Sequence, residues 1–198
     1  MISPLAGTLT KERMNTEQKE QLFWQPDGEI VPVKFGTSGH RGQLGRGFCA
    51  AHARAIAQAV AQIHLEDKIS GPVLCGGDTR LMSGATAQLC AEVLAGNGLE
   101  VILAAHPLPT PVFSFEIISG RASACLNGTA SHNPPQDMGL KYNPSHGGPA
   151  DSALTARLEK LANVYLQNPA EIKQISVEKV NEITSLNASK LFDLNIKL

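Results

Sequence analysis

At 198 residues, 42% of them hydrophobic, the chain has the length for one full domain plus a partial second element, and enough apolar content for a packed core. Seventeen basic against eighteen acidic residues leave a net charge of −1, which gives no electrostatic case for a nucleic-acid partner or an anionic membrane surface. No apolar run reaches membrane-spanning length, and Met1-Ile-Ser-Pro-Leu-Ala-Gly7 lacks the basic and apolar regions of a leader.

In chain order, residues 1–31 read as an N-terminal extension outside the core. Thr10–Trp24 fits a surface helix docked by Leu22, Phe23 and Trp24, and Pro26-Asp27-Gly28 fits a turn. Val31-Pro-Val-Lys-Phe35 reads as a first strand, followed by Gly36-Thr-Ser-Gly-His-Arg-Gly42 as a loop. Its glycines let backbone N–H groups and the Arg41 guanidinium approach an oxyanion, although an ordinary turn with a solvated arginine fits the same residues.

Phe48–Leu65 is an amphipathic helix with Ala53, Ile56, Val60 and Ile63 on one face and Arg54, Gln58 and Gln62 on the other. His52 and His64 read as surface histidines of that helix. Pro72–Gly76 is a short buried strand leading to Gly77-Asp-Thr-Arg80. Ser83 fits the N-cap of a helix over Ala85–Ala95, which Gly96-Asn-Gly98 ends. Leu99–Ala105 is the next strand, and Pro107-Leu-Pro-Thr-Pro111 opens a short helix through Ile118.

The apolar run Ala122–Leu126 then feeds a long polar loop over residues 127–149. Pro134-Pro135 removes two backbone donors and fixes two φ angles, so the loop after Ser131 is stiff. Asp151 caps a helix that carries Leu154, Leu158, Leu161 and Tyr165, and residues 166–198 read as a linker or the start of a further domain. Strand and helix alternate, so the fold class is α/β, a three-layer α/β/α sandwich over residues 32–165. Four cysteines, Cys49, Cys75, Cys90 and Cys125, have no metal or redox spacing. They read as buried free thiols, which fits a reducing, cytoplasmic location.

In an open α/β sheet, polar loops that follow strand ends gather on one rim. Residues 36–42, 77–80 and 127–149 are three such loops, so Arg41, Ser131, His132 and Lys141 are expected to converge. A serine attacks only when something takes its proton and something holds the electrophile. His132 and Lys141 are candidate proton carriers, and Arg41 is a fork suited to phosphate oxygens. No aspartate is placed to orient the histidine, and no Gly-x-Ser-x-Gly elbow is present. Cations around a serine favour phosphoryl over acyl transfer, because phosphoryl transfer rests on positioning and charge neutralisation. A plain loop serine beside a solvated lysine remains the alternative.

Thr129-Ala-Ser-His-Asn-Pro134 with Gly139-Leu-Lys-Tyr-Asn143 closely resembles the phosphoserine loop of the α-D-phosphohexomutases. Phe35-Gly-Thr-Ser-Gly-His-Arg-Gly42 resembles the first loop of that family in its bacterial phosphoglucomutase branch, and Gly77–Arg80 and Pro109–Pro111 fall where the family has similar segments. The resemblance spans about residues 31–165 and implies the first α/β/α domain of the family, with a mixed sheet. It implies that sugar 1- and 6-phosphates are interconverted through a bisphosphorylated sugar, here glucose 1,6-bisphosphate, with a hexose phosphate as substrate. Ser131 is expected to carry the phosphoryl group and to ligate Mg²⁺ through a phosphate oxygen. Lys141 and His132 match proton-transfer and loop-organising positions, Arg41 matches a phosphate-holding arginine, and Thr37, Ser38 and Asn133 are expected to line the same pocket.

The chain departs from the family pattern in two ways. Family enzymes have four domains, and only the first is matched. No Asp-x-Asp-x-Asp metal loop occurs in these residues. In addition, Asn127 and Gly128 stand in the strand before the serine, where branched apolar residues are expected, and should weaken that strand. Three readings follow: the phosphoserine-bearing part of a phosphoglucomutase, completed by domains on a longer or separate chain; a non-catalytic sugar-phosphate-binding or regulatory module; or a serine hydrolase or phosphatase.

Overall fold

The computed structural model describes residues 15–36 and 39–179. The elements are helix α1 (Thr16–Trp24), strand β1 (His40–Gln43), α2 (Ala50–Glu66), β2 (Val73–Gly77), α3 (Ser83–Gly96), β3 (Val101–Leu103), α4 (Thr110–Ile118), β4 (Ala124–Gly128), β5 (Asp137–Asn143) and α5 (Ser152–Gln167). One mixed sheet of five strands runs in the order β1-β5-β4-β2-β3. Strand β2 pairs parallel with β3 and β4, whereas β5 pairs antiparallel with β4 and β1.

Residue alternation divides the sheet into two unequal faces. Val73, Cys75, Val101, Ala124, Leu126, Met138, Leu140 and Tyr142 belong to the large core, shared with α2, α3 and α5. Leu74, Ile102 and Cys125 form a smaller cluster with Phe113 and Ile117 of α4. Helix α2 is central, with Ala53, Ala55, Ile56, Ala57, Ala59, Val60 and Ala61 all at 0% exposure. Its alanines let α3 and α5 approach closely. This buries the helix nearly all round, and His52 and His64 with it, at 0% and 1% exposure. They are core histidines, contrary to the surface reading: a face made of alanine is apolar enough to be covered by a neighbour.

The apolar run at 31–35 is not a strand, although it alternates as one, with Val33 and Phe35 buried between exposed Pro32 and Lys34. Its backbone pairs with side chains instead. Asn163 bonds both polar groups of Val33, Glu159 accepts from Phe35 N–H, His40 Nδ1 accepts from Lys34 N–H, and His52 Nε2 donates to Val31 O. The first strand is β1, which begins within the 36–42 segment expected to be loop and runs one residue past it. Helix α1 docks through Phe23, fully buried against Phe48, while Trp24 stays 46% exposed. The 127–149 segment is also more regular than expected, since it contains β5 as the return arm of a hairpin with β4. Ser83 is the first residue of α3 rather than its cap, and its hydroxyl donates to Gly128 O at 2.6 Å. Asp151 caps α5 as expected, accepting from Leu154 N–H at 2.8 Å. All four cysteines are free and buried.

Candidate active site

The parallel strands β2 and β4 end side by side, with Gly77 opposite Gly128. A Cβ on Gly77 would lie 2.0 Å from Ser83 Oγ and 2.6 Å from Gly128 O, so only glycine lets the strand ends and α3 meet this closely. The chain leaves β2 into Asp78 and Arg80 and leaves β4 into Thr129 and Ser131, which brings the two loops onto one rim. Thr129 Oγ1 donates to Asp78 Oδ2 and accepts from Ser131 N–H at 2.9 Å. Ser131 is exposed, with φ at +56°. A non-glycine residue in this left-handed region requires surrounding contacts that fix it.

Arg80 supplies those contacts. Its Nη2 donates to Ser131 O at 2.7 Å and to Asn133 O, and its Nη1 donates to Pro134 O at 2.9 Å and Asp137 O at 3.0 Å. The arginine is itself seated against Asp78, with Nε 3.8 Å from Oδ2. The sequence reading assigned neither Asp78, Thr129 nor Arg80 a role. The signal was the segment Gly77-Asp-Thr-Arg80 directly after a strand, and what hid it was that Asp78 and Thr129 pair with each other, and Arg80 with backbone carbonyls, across some fifty residues of sequence.

Arg41 and Lys141 come together on the thinly covered face of the sheet. Arg41 pairs with Gly139 in register, and Lys141 stands two residues further along β5, so both side chains leave on the same side. Gly139 is needed between them, since a Cβ there would meet His40 O at 2.7 Å, Arg41 Cγ at 2.8 Å and Thr129 O at 2.9 Å. Burial, then the neighbouring Arg41 charge, holds the Lys141 ammonium below its ordinary pKa, with Asp78 opposing the shift. Lys141 therefore couples electrostatically to both loops.

Asn133 joins Arg41 in lining a cleft of about 790 Å³, which Lys34, Gly36, Gly39 and His40 also border. Asn133 Nδ2 donates to Asp137 Oδ2 at 2.9 Å, which closes the loop. Thr37 and Ser38 lie outside the described residues, although their neighbours Gly36 and Gly39 are bonded N–H to O at 3.2 Å. His132 is exposed beside Ser131 and makes no hydrogen bond to another described residue, so no carboxylate orients it. The structure thus sets Arg41 beside Lys141 on one sheet face and beside Asn133 on the cleft wall, and leaves His132 exposed on the loop. Among the described residues no group of three or more His, Cys, Asp or Glu side chains is placed to hold a metal ion. An exposed hydroxyl on a fixed turn, with an arginine and a lysine on the adjoining sheet face, is suited to receiving and releasing an anionic group.

Comparison with known proteins agrees with this fold. The family model for phosphoglucomutase/phosphomannomutase, alpha/beta/alpha domain I, matches residues 32–168. A phosphoglucomutase of Komagataeibacter xylinus is 42% identical over 193 residues, covering 89% of this chain and 35% of the relative. A phosphoglucosamine mutase of Marinobacter nauticus is 36% identical over 140 residues, covering 70% of this chain and 30% of the relative. The crystal structure of a phosphoglucomutase/phosphomannomutase family protein from Burkholderia thailandensis superposes with a TM-score of 0.59 at 25% identity, covering 74% of this chain and 32% of that one. The chain spans about a third of the length of these relatives. It belongs to the phosphoglucomutase/phosphomannomutase family, whose α/β/α domain I it carries over residues 32–168.

Proposed function

We propose that this chain is the phosphoserine-bearing part of a phosphohexomutase that interconverts glucose 1-phosphate and glucose 6-phosphate through glucose 1,6-bisphosphate. The observation that carries the reading is Ser131, exposed on a turn fixed from below, with Arg41 and Lys141 paired on the adjoining sheet face. In the transfer step the P–Oγ bond of phosphorylated Ser131 breaks while a bond forms from phosphorus to a sugar hydroxyl. The hydroxyl proton passes to a base, and Ser131 Oγ takes a proton in turn. Lys141, with its pKa lowered by burial and by Arg41, is suited to that exchange, and the Arg41 fork is suited to the moving phosphoryl oxygens. His132 serves as an exposed second proton carrier, and Thr37, Ser38 and Asn133 contact the phosphate side of the sugar. The Mg²⁺ of the family does not fit the described residues alone, because Asp78 is engaged by Thr129 and Arg80 and no acidic cluster stands nearby among them. A phosphate on Ser131 contributes one ligand, and a further part of the molecule supplies the others.

The test is a chimera in which residues 32–168 replace the matching segment of the K. xylinus phosphoglucomutase. Turnover of glucose 1-phosphate with one acid-stable phosphate on Ser131, both lost in Ser131→Ala, is the expected result. A folded chimera that binds hexose phosphate without turnover or labelling would mean a binding module. Labelling that survives Ser131→Ala would remove this serine from the chemistry.

A further inference from the structure

The loop after Ser131 is rich in acceptors and poor in donors. The peptides that join Asn133 to Pro134 and Pro134 to Pro135 carry carbonyls but no N–H groups, so an external donor must satisfy them. Arg80 meets that need with two nitrogens and four carbonyls, and its side chain is only 16% exposed. One of these contacts has a chemical consequence. In a trans peptide the C=O and N–H point to opposite edges of one plane. Drawing Ser131 O onto Nη2 at 2.7 Å therefore turns the next N–H, that of His132, away from Arg80. That N–H has no acceptor among the described residues.

We propose that Arg80 is a positioning residue for phosphoryl transfer: by holding the Ser131 carbonyl it presents the His132 backbone N–H to the phosphate carried on Ser131. Arg80 touches no substrate and acts through the peptide plane. The inference rests on Ser131 as the phosphoryl carrier. The charged and titratable groups around that phosphate are Arg80 and Asp78 under the loop, Asp137 at its end, Lys141 and Arg41 on the sheet face, and His132 beside it. A fork able to serve four carbonyls at once separates Arg80 from a simple positive charge, because a lysine ammonium in its place has neither the reach nor the planarity.

The test uses the full chain with phosphoserine installed at position 131 during translation, so that it does not depend on the chain phosphorylating itself. In ³¹P spectra the second phosphate pKa is expected about 0.5 unit or more below the roughly 6 of an exposed phosphoserine. The His132 amide proton is expected to move downfield as the phosphate ionises. In Arg80→Lys, which keeps a positive charge, the pKa should rise toward that of the exposed group, and His132 amide exchange should quicken about tenfold or more as its peptide is freed. An unchanged pKa in a folded Arg80→Lys would show that charge alone is at work and overturn the proposal. Should that variant not fold, a His132 amide that ignores phosphate ionisation in the unsubstituted chain would overturn it equally. Normal spectra with a chimera that never labels Ser131 would sink the mutase reading and leave the positioning intact.

Discussion

Asn163 holds Val33 with both ends of its carboxamide, Oδ1 accepting from Val33 N–H at 2.8 Å and Nδ2 donating to Val33 O at 2.9 Å. The side chain of α5 stands in for a neighbouring strand, so the segment that leads into the Arg41 strand is fixed without joining the sheet. Asn163→Leu should strip two part-buried backbone groups of their partners and cost about 2–3 kcal/mol. Urea unfolding checks the figure. A loss below about 0.5 kcal/mol would mean that water replaces the amide at no cost.

Acid should loosen the same region. Burial lowers the His40 pKa from 6.5 to about 4, with help from the charge of His52, and burial lowers His52 as well. The rings lie 4.7 Å apart. The unfolded chain thus binds protons that the folded chain refuses, so stability rises with pH across this window. It should be complete above about pH 6.5, fall as pH drops toward about 4, and then level off, with a slope of up to about 1.4 kcal/mol per pH unit for each histidine. Glu66, held low by a hydrogen bond from Gln62 and then by Arg157, and Asp67, held low by Arg157, lose their contribution only as pH falls through and below the ordinary carboxylate range. Urea midpoints at pH 7, 6 and 5 give the profile, and His40→Asn should remove the share of His40 while leaving that of the other buried histidines, His52 and His64. A flat profile in the unsubstituted chain would contradict neutral buried rings.

Gly139→Ala should separate fold from site. The added methyl meets backbone on two sides and the Arg41 stem on the third, so β1 must shift away from β5. The expected cost is about 1–3 kcal/mol. Sulfate or phosphate affinity, read by calorimetry, should fall in proportion to the displaced Arg41. Unchanged affinity would place the anion elsewhere.

Asn127 offers the opposite outcome. It is 1% exposed, its Nδ2 donates to Thr110 Oγ1 at 3.1 Å, and its Oδ1 has no partner. Asn127→Val exchanges an orphaned acceptor for a strand-forming apolar side chain, while Thr110 keeps access to water. Stability should rise by about 1 kcal/mol, or about 2–4 °C in melting temperature. A fall would show that Oδ1 has a partner in solution.

The helices were legible because periodicity reports burial directly, and Asp151 was legible because a cap is a local contact. The run at 31–35 misled because alternation records which side chains are covered and not what the backbone bonds to. Side chains of α5 and α2, more than twenty residues away at the nearest, do the work of a strand there. Asn127 and Gly128 looked like weak points in their strand, yet β4 is paired on both sides through Gly128. The reason is that Gly128 sits against Ser83, where a Cβ would come within 3.1 Å of the Ser83 carbonyl oxygen. Ser131 and Lys141 were readable as candidates because they lie in one hairpin. Arg80 was not, because its role depends on carbonyls supplied from another loop.

The four buried thiols make the chain its own unfolding probe. Burial pushes the Cys125 thiol up to about 12 and raises Cys49, Cys75 and Cys90, so almost no thiolate exists at neutral pH while the fold is closed. Cys49 is the N-cap residue of α2, Cys75 and Cys125 lie in adjacent central strands, and Cys90 lies in α3. A thiol reagent added to the native protein therefore reacts only as fast as each layer opens, and the order of labelling reads out which part of the domain breathes first.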